Sequence, residues 1–116
     1  MKNEKENIDD LNLLRKIHSN PKASQRELAK QLGFSLGKIN YCLNALKSKG
    51  LIKLNNFRNN KNKFSYVYVI TPKGFVEKTK LTVKYMKIKM DEYDQLQKEL
   101  ANKKYYENKI KNQDMK

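Results

Sequence analysis

SQRELAKQLGFSLGKINYCLNALKSKG, residues 24–50, decides the fold. Ser24 with Glu27 three positions later is a capping box, which satisfies free N–H groups at a helix start. Leu28, Ala29 and Leu32 give that helix a buried face. Gly33 ends it, because glycine tolerates the left-handed geometry that follows a helix. Ser35 caps the next helix, whose apolar stripe is Ile39, Leu43 and Leu46 with Cys42 alongside, and Gly50 stops it. Two helices, about 24–32 and 35–49, separated by a turn of about three residues, have helix-turn-helix spacing.

Reading outward, Ile8, Leu11, Leu14 and Ile17 step by three, with Leu13 beside them. They predict a first helix over about 7–19, stopped by Asn20 and Pro21. On the other side, Leu51–Leu54 reads as a short strand. Asn55–Lys63 reads as a polar loop with Arg58, Lys61, Lys63 and no acid. Phe64–Ile70, rich in Val and Tyr, reads as a second strand. Three helices followed by two strands and a basic loop predict a winged helix, mainly α with a two-stranded β-wing over 51–70. Thr71 as cap and Pro72 at the first helical position open a last helix. It is predicted to run to about Lys109, roughly 55 Å at about 1.5 Å per residue. Residues 1–71 are thus expected to form the winged helix-turn-helix DNA-binding domain. Residues 72–116 are expected to form a long dimerisation helix with a frayed end. Positions 76, 79, 83, 86, 90, 93, 97 and 100 make a heptad-like seam. Its candidate dimerisation residues are Val83, Met86, Met90, Tyr93 and Leu100, with Val76 before them and Leu81, Tyr85, Ile88 and Leu96 widening it.

Charge narrows the function. The 116 residues carry 26 Lys plus Arg against 12 Asp plus Glu, a formal net charge of +14. Residues 20–63 hold ten cations and a single acid, Glu27, net +9, whereas residues 1–19 are neutral. A basic excess concentrated on the helix-turn-helix and wing points to duplex DNA as partner. One cysteine and one histidine leave no cysteine cluster, no paired-His zinc motif and no metal or cofactor site. No glycine-rich phosphate loop or nucleophile elbow is present, so the chain does not read as an enzyme. Cys42 reads as a packed residue and His18 as a helix-end residue. The start lacks a secretory signal, and no apolar run spans a bilayer. The expected location is the cytoplasm, with no membrane partner.

In a winged helix the third helix enters the major groove. The face opposite Ile39, Leu43 and Leu46 carries Leu36, Gly37, Lys38, Asn40, Tyr41, Asn44 and Lys47. Asn bonds adenine bidentately, Lys reaches guanine acceptors, Leu36 can touch a thymine methyl, and Gly37 lets the backbone come close. Ser24, Gln25 and Ser35 lie at helix N-termini, which favour phosphate. Arg58, Lys61 and Lys63 suit the minor groove or the backbone. Two other functions compete: a protein-bridging adaptor built from a winged helix and a coiled coil, and a basic membrane-surface protein. The position of the charge favours DNA over both, since the last helix is mixed in sign.

The stretch ELAKQLGFSLGKINYCLNALKSKGLI resembles the helix-turn-helix of MarR-like winged-helix regulators, and NFRNNKNKFSYVYVITPKG resembles their wing and following helix. The likeness is greatest to the small MarR-like group associated with exopolysaccharide gene clusters in bacteria, over about residues 8–110. Gly50-Leu51-Ile52 and Thr71-Pro72-Lys73-Gly74 fit closely. The resemblance implies a homodimeric bacterial transcription regulator, acting on exopolysaccharide genes. The wing of that group alternates Asp-x-Arg-Asp-x-Arg, whereas this chain has Asn56, Arg58, Asn59 and Lys61 at the matching places. Arg58 keeps its position but loses a charged orienting partner. The group dimerises through helices at both termini. The N-terminal segment here is brief, so a dimer must lean on the C-terminal helix. No signature of the relatives' small-molecule pocket is found, and the effector is unknown.

Overall fold

Asn3 starts the first helix by accepting the Glu6 N–H on its side chain at 2.8 Å. In this computed structural model, which describes residues 3–58 and 64–114, α1 is Glu4–Ser19. Glu4 and Glu6 in its first turn and Lys16 in its last oppose the helix dipole with the right signs. Leu11, Leu13, Leu14 and Ile17 are buried, but Ile8 is 41% exposed. The three-residue spacing that placed Ile8 in the stripe fails for a geometric reason. Each step of three falls about 60° short of a full turn, so Ile8 lies about 180° around the helix from Ile17.

α2 (Gln25–Leu32) and α3 (Leu36–Ser48) follow the reading of their caps. Ser24 Oγ accepts the Glu27 N–H at 3.1 Å. The return contact of the capping box goes from the Ser24 hydroxyl to Glu27 Oε1, at 3.3 Å, rather than from the Ser24 backbone N–H. Ser35 Oγ accepts the Lys38 N–H at 3.1 Å. Gly33 and Gly50 both take positive φ, 71° and 74°, where a side chain is strained.

β1 (Ile52–Arg58) and β2 (Phe64–Ile70) pair antiparallel, from Ile52↔Ile70 to Arg58↔Phe64. β1 runs four residues past the strand expected from sequence, through Asn55, Asn56, Phe57 and Arg58. The ladder is made by backbone groups, so polar residues opposite Val67 and Tyr66 extend it wherever one face meets solvent. Leu51 falls outside the strand. Its N–H bonds to Leu46 O at 3.0 Å, and its own carbonyl accepts the Thr71 N–H at 3.0 Å.

The core lies where the three helices meet the base of the hairpin. Leu13, Leu14, Ile17, Leu28, Ile39, Leu43 and Leu46 are fully buried, each contributing about 1.5–3 kcal/mol by leaving water. Ile52, Tyr68, Ile70 and Leu81 extend it. α4 (Pro72–Asp114) opens on Thr71, whose Oγ1 accepts the Gly74 N–H at 3.0 Å and donates to Gly50 O at 2.6 Å. One hydroxyl thereby ties the end of the α3 turn to the start of α4. Gly74 is required there, since a Cβ would collide with the Leu51 carbonyl and Ile70 Cγ2. The chain forms two compact units, Met1–Thr82 and Val83–Lys116, so α4 belongs with the winged helix as far as Thr82. No helix among the described residues is long and apolar enough to cross a membrane.

Candidate nucleic-acid interface

α3 presents two chemically different faces. Ile39, Cys42, Leu43 and Leu46 are buried. At about 100° per residue, Gly37 and Asn44 lie opposite them, with Asn40 and Tyr41 to either side and Leu36 and Lys47 nearer one edge. All six are exposed, Tyr41 at 70% and Leu36 at 48%. Nothing lies within 4 Å of the Cβ position at Gly37, so that part of the helix backbone is open to close approach.

Lys38 is differently placed. Its ammonium pairs with Asp9 of α1 at 3.0 Å and sits 4.1 Å from the centre of the Phe34 ring. It is drawn toward a groove of about 820 Å³ between α1 and α3, lined also by Asp10, Cys42 and Ala45. The sequence could not reveal this, because Asp9 lies 29 positions away and on another helix. Ser24 and Ser35 use their side-chain oxygens on the caps of α2 and α3. Gln25 donates through Nε2 to the Tyr68 hydroxyl at 3.0 Å, linking α2 to β2.

That link forms part of a second groove, about 470 Å³, lined by Lys22, Ser24, Gln25, Leu54, Tyr66 and Tyr68. Lys22, Tyr66 and Tyr68 were not singled out from sequence. The signal was the period of two in β2, which puts Tyr66 and Tyr68 on one face of the hairpin, across from Asn56 and Leu54. Of the expected wing cations, Lys61 and Lys63 lie outside the described residues, as does the side chain of Arg58.

His18 is exposed, its ring edge-on to Phe75 at 5.3 Å. Cys42 is buried. Among the described residues no group of three or more His, Cys, Asp and Glu could hold a metal ion.

In the second unit, Val83, Met86, Met90, Tyr93, Leu96 and Leu100 are all exposed. Gln97, at a seam position that is not apolar, donates to the Tyr93 hydroxyl at 2.9 Å. Leu81 and Tyr85, expected to widen the seam, are instead buried. They lie on the opposite side of α4 from Val83 and Met90, as about 100° per residue requires.

Residues 10–53 match the family described as winged helix-turn-helix DNA-binding. No curated protein matches the chain. Among solved structures, the PcaV transcriptional regulator from Streptomyces coelicolor, in complex with its natural ligand, is similar at 18% identity and TM-score 0.57, over 70% of this chain and 56% of that one. Staphylococcus aureus MarR in complex with salicylate and kanamycin is similar at 19% identity and TM-score 0.57, over 72% and 54%. The S. aureus MepR–DNA complex is similar at 16% identity and TM-score 0.59, over 78% and 61%. At these identities the likeness is one of fold, that of a winged helix. The chain spans a little over half the length of the first two regulators.

Proposed function

We propose that the protein is a transcription regulator that binds duplex DNA sequence-specifically as a homodimer. The observation that carries this reading is the open polar face of α3, with Asn40, Tyr41 and Asn44 exposed opposite Ile39, Leu43 and Leu46. It lies within a segment that matches a DNA-binding family. The major groove is about 12 Å wide and admits an α-helix. Asn40 and Asn44 can each pair with adenine N6 and N7, Leu36 can meet a thymine methyl, and Lys47 can reach guanine or phosphate. Arg58, Lys61 and Lys63 have the charge to bind the backbone or the minor groove beside it. Lys38 serves less as a reader than as a brace, since Asp9 already holds it.

The homodimer rests on the exposed seam of α4. Paired seams present two copies of α3 to two half-sites, related by the symmetry of the dimer and separated by whole turns of DNA. The protein acts in the cytoplasm, and exopolysaccharide genes are the proposed targets, by resemblance. Selection of bound sequences from a random duplex library tests the reading. A two-fold symmetric motif is the expected result. Recovery of no enriched motif overturns sequence-specific binding, and a single unpaired half-site overturns the dimer.

A further inference from the structure

We infer that the groove between the start of α2 and the hairpin seats one phosphodiester of the DNA backbone, with the Tyr68 hydroxyl donating to it while accepting from Gln25. This rests on the DNA-binding reading and adds a contact that clamps the wing to the helix-turn-helix. Tyr68 is 8% exposed, yet it lines the groove. A phenol has one proton and two lone pairs. The bond from Gln25 Nε2, at 3.0 Å, occupies a lone pair, and among the described residues Tyr68 donates no hydrogen bond. Its proton is therefore available to an acceptor in the groove. The other residues there suit an anion: Lys22 and Tyr66 are in the lining, and among the described residues no acid is. Glu27, the single acid of residues 20–63, accepts from the hydroxyl of Ser24 in that lining but is not itself one of the lining residues. Leu54 and Tyr66 add apolar surface to the lining that can meet deoxyribose, which favours a backbone phosphodiester over a free ion. Because α2 and β2 both line the groove, a phosphate held in it fixes the wing relative to the reading helix, which is how backbone contacts set register.

The test is a set of binding titrations on a selected duplex and on copies carrying one neutral methylphosphonate at successive positions. Tyr68→Phe keeps the ring and removes the proton. It should weaken binding about tenfold on every sequence, with an unchanged salt slope, because a neutral hydroxyl displaces no counterion. Lys22→Gln should instead lower the slope by about one for each seat. One methylphosphonate position should weaken the wild type and add little to the Tyr68→Phe loss. Gln25→Ala, which removes the bracing bond but leaves the proton, should lose less than Tyr68→Phe. Millimolar inorganic phosphate should not compete beyond its ionic strength; specific competition would make the ligand a free anion. Equal losses from Gln25→Ala and Tyr68→Phe at every methylphosphonate position would reduce Tyr68 to a structural brace and overturn the seat. So would binding by Tyr68→Phe equal to wild type. Either result leaves the DNA-binding reading standing, whereas a wild type that binds no duplex removes that reading itself.

Discussion

Asn40 and Asn44 stand one turn apart on the open side of α3, and each has the amide that adenine recognition needs. Replacing Asn44 by Ala is expected to cost about 1–3 kcal/mol on the selected site and to relax preference at one base position. Titrations on selected and scrambled duplexes measure both effects. An equal loss on the two duplexes would move Asn44 from base reading to backbone positioning. Lys61→Ala is expected to weaken both alike and to lower the salt slope. Burial gives a contrast of another kind. Leu14 is fully buried and Ile8 is 41% exposed, although the two share one sequence pattern. Leu14→Ala should therefore cost about 2–5 kcal/mol of unfolding free energy, and Ile8→Ala only about 0.5 kcal/mol. Comparable losses in denaturant titrations would contradict the placement of Ile8. The open face of α3 was legible because its buried stripe fixes what lies opposite. The Asp9–Lys38 pair and the Gln25–Tyr68 bond were not, because each joins residues far apart in the chain.

Helix ends were the most legible elements, since caps are local chemistry. Ser24, Ser35 and Thr71 each accept the N–H expected of a cap. Asn3 escaped notice because α1 begins before its apolar stripe does. Strand ends were less legible. Asn55 and Asn56 carry no strand signal, and only the partner strand draws them into the ladder. The junction between the hairpin and α4 is where local and long-range structure meet. Thr71→Ala removes a cap and the bond to Gly50 O together, and should cost about 1–2 kcal/mol, at the upper end for a cap. Gly74→Ala should cost more, because the new methyl meets the Leu51 backbone rather than a yielding side chain. Thermal melts of the two variants rank them. A Gly74→Ala protein as stable as wild type would show that the α4 start does not press on Leu51.

The whole molecule joins a segment of net +9 over residues 20–63 to a seam of apolar side chains that stand exposed among the described residues. Met86 and Met90 are more than half exposed at consecutive seam positions, and their double replacement by Glu should give a monomer. Light scattering checks this, and a variant that stays dimeric would move the interface off the seam. Leu81 and Tyr85 must be left intact in such a test, since both are buried. The seam was legible as a pattern, but the sequence alone could not separate its open residues from the buried pair beside it. Loss of the dimer should weaken the selected site far more than scrambled DNA, because two half-sites are no longer held together. The central claim is that α3 reads duplex DNA within a basic surface. The measurement that meets it most directly is a titration of wild type and Asn44→Ala on selected and scrambled duplexes between 50 and 200 mM salt. If the net +9 of residues 20–63 neutralises about six to ten phosphates per dimer, wild-type affinity falls by roughly 10³- to 10⁵-fold across that range. Asn44→Ala should keep the same slope and lose about 1–3 kcal/mol of the preference for the selected duplex. Salt-independent binding, or a wild type that holds both duplexes equally, would contradict the account.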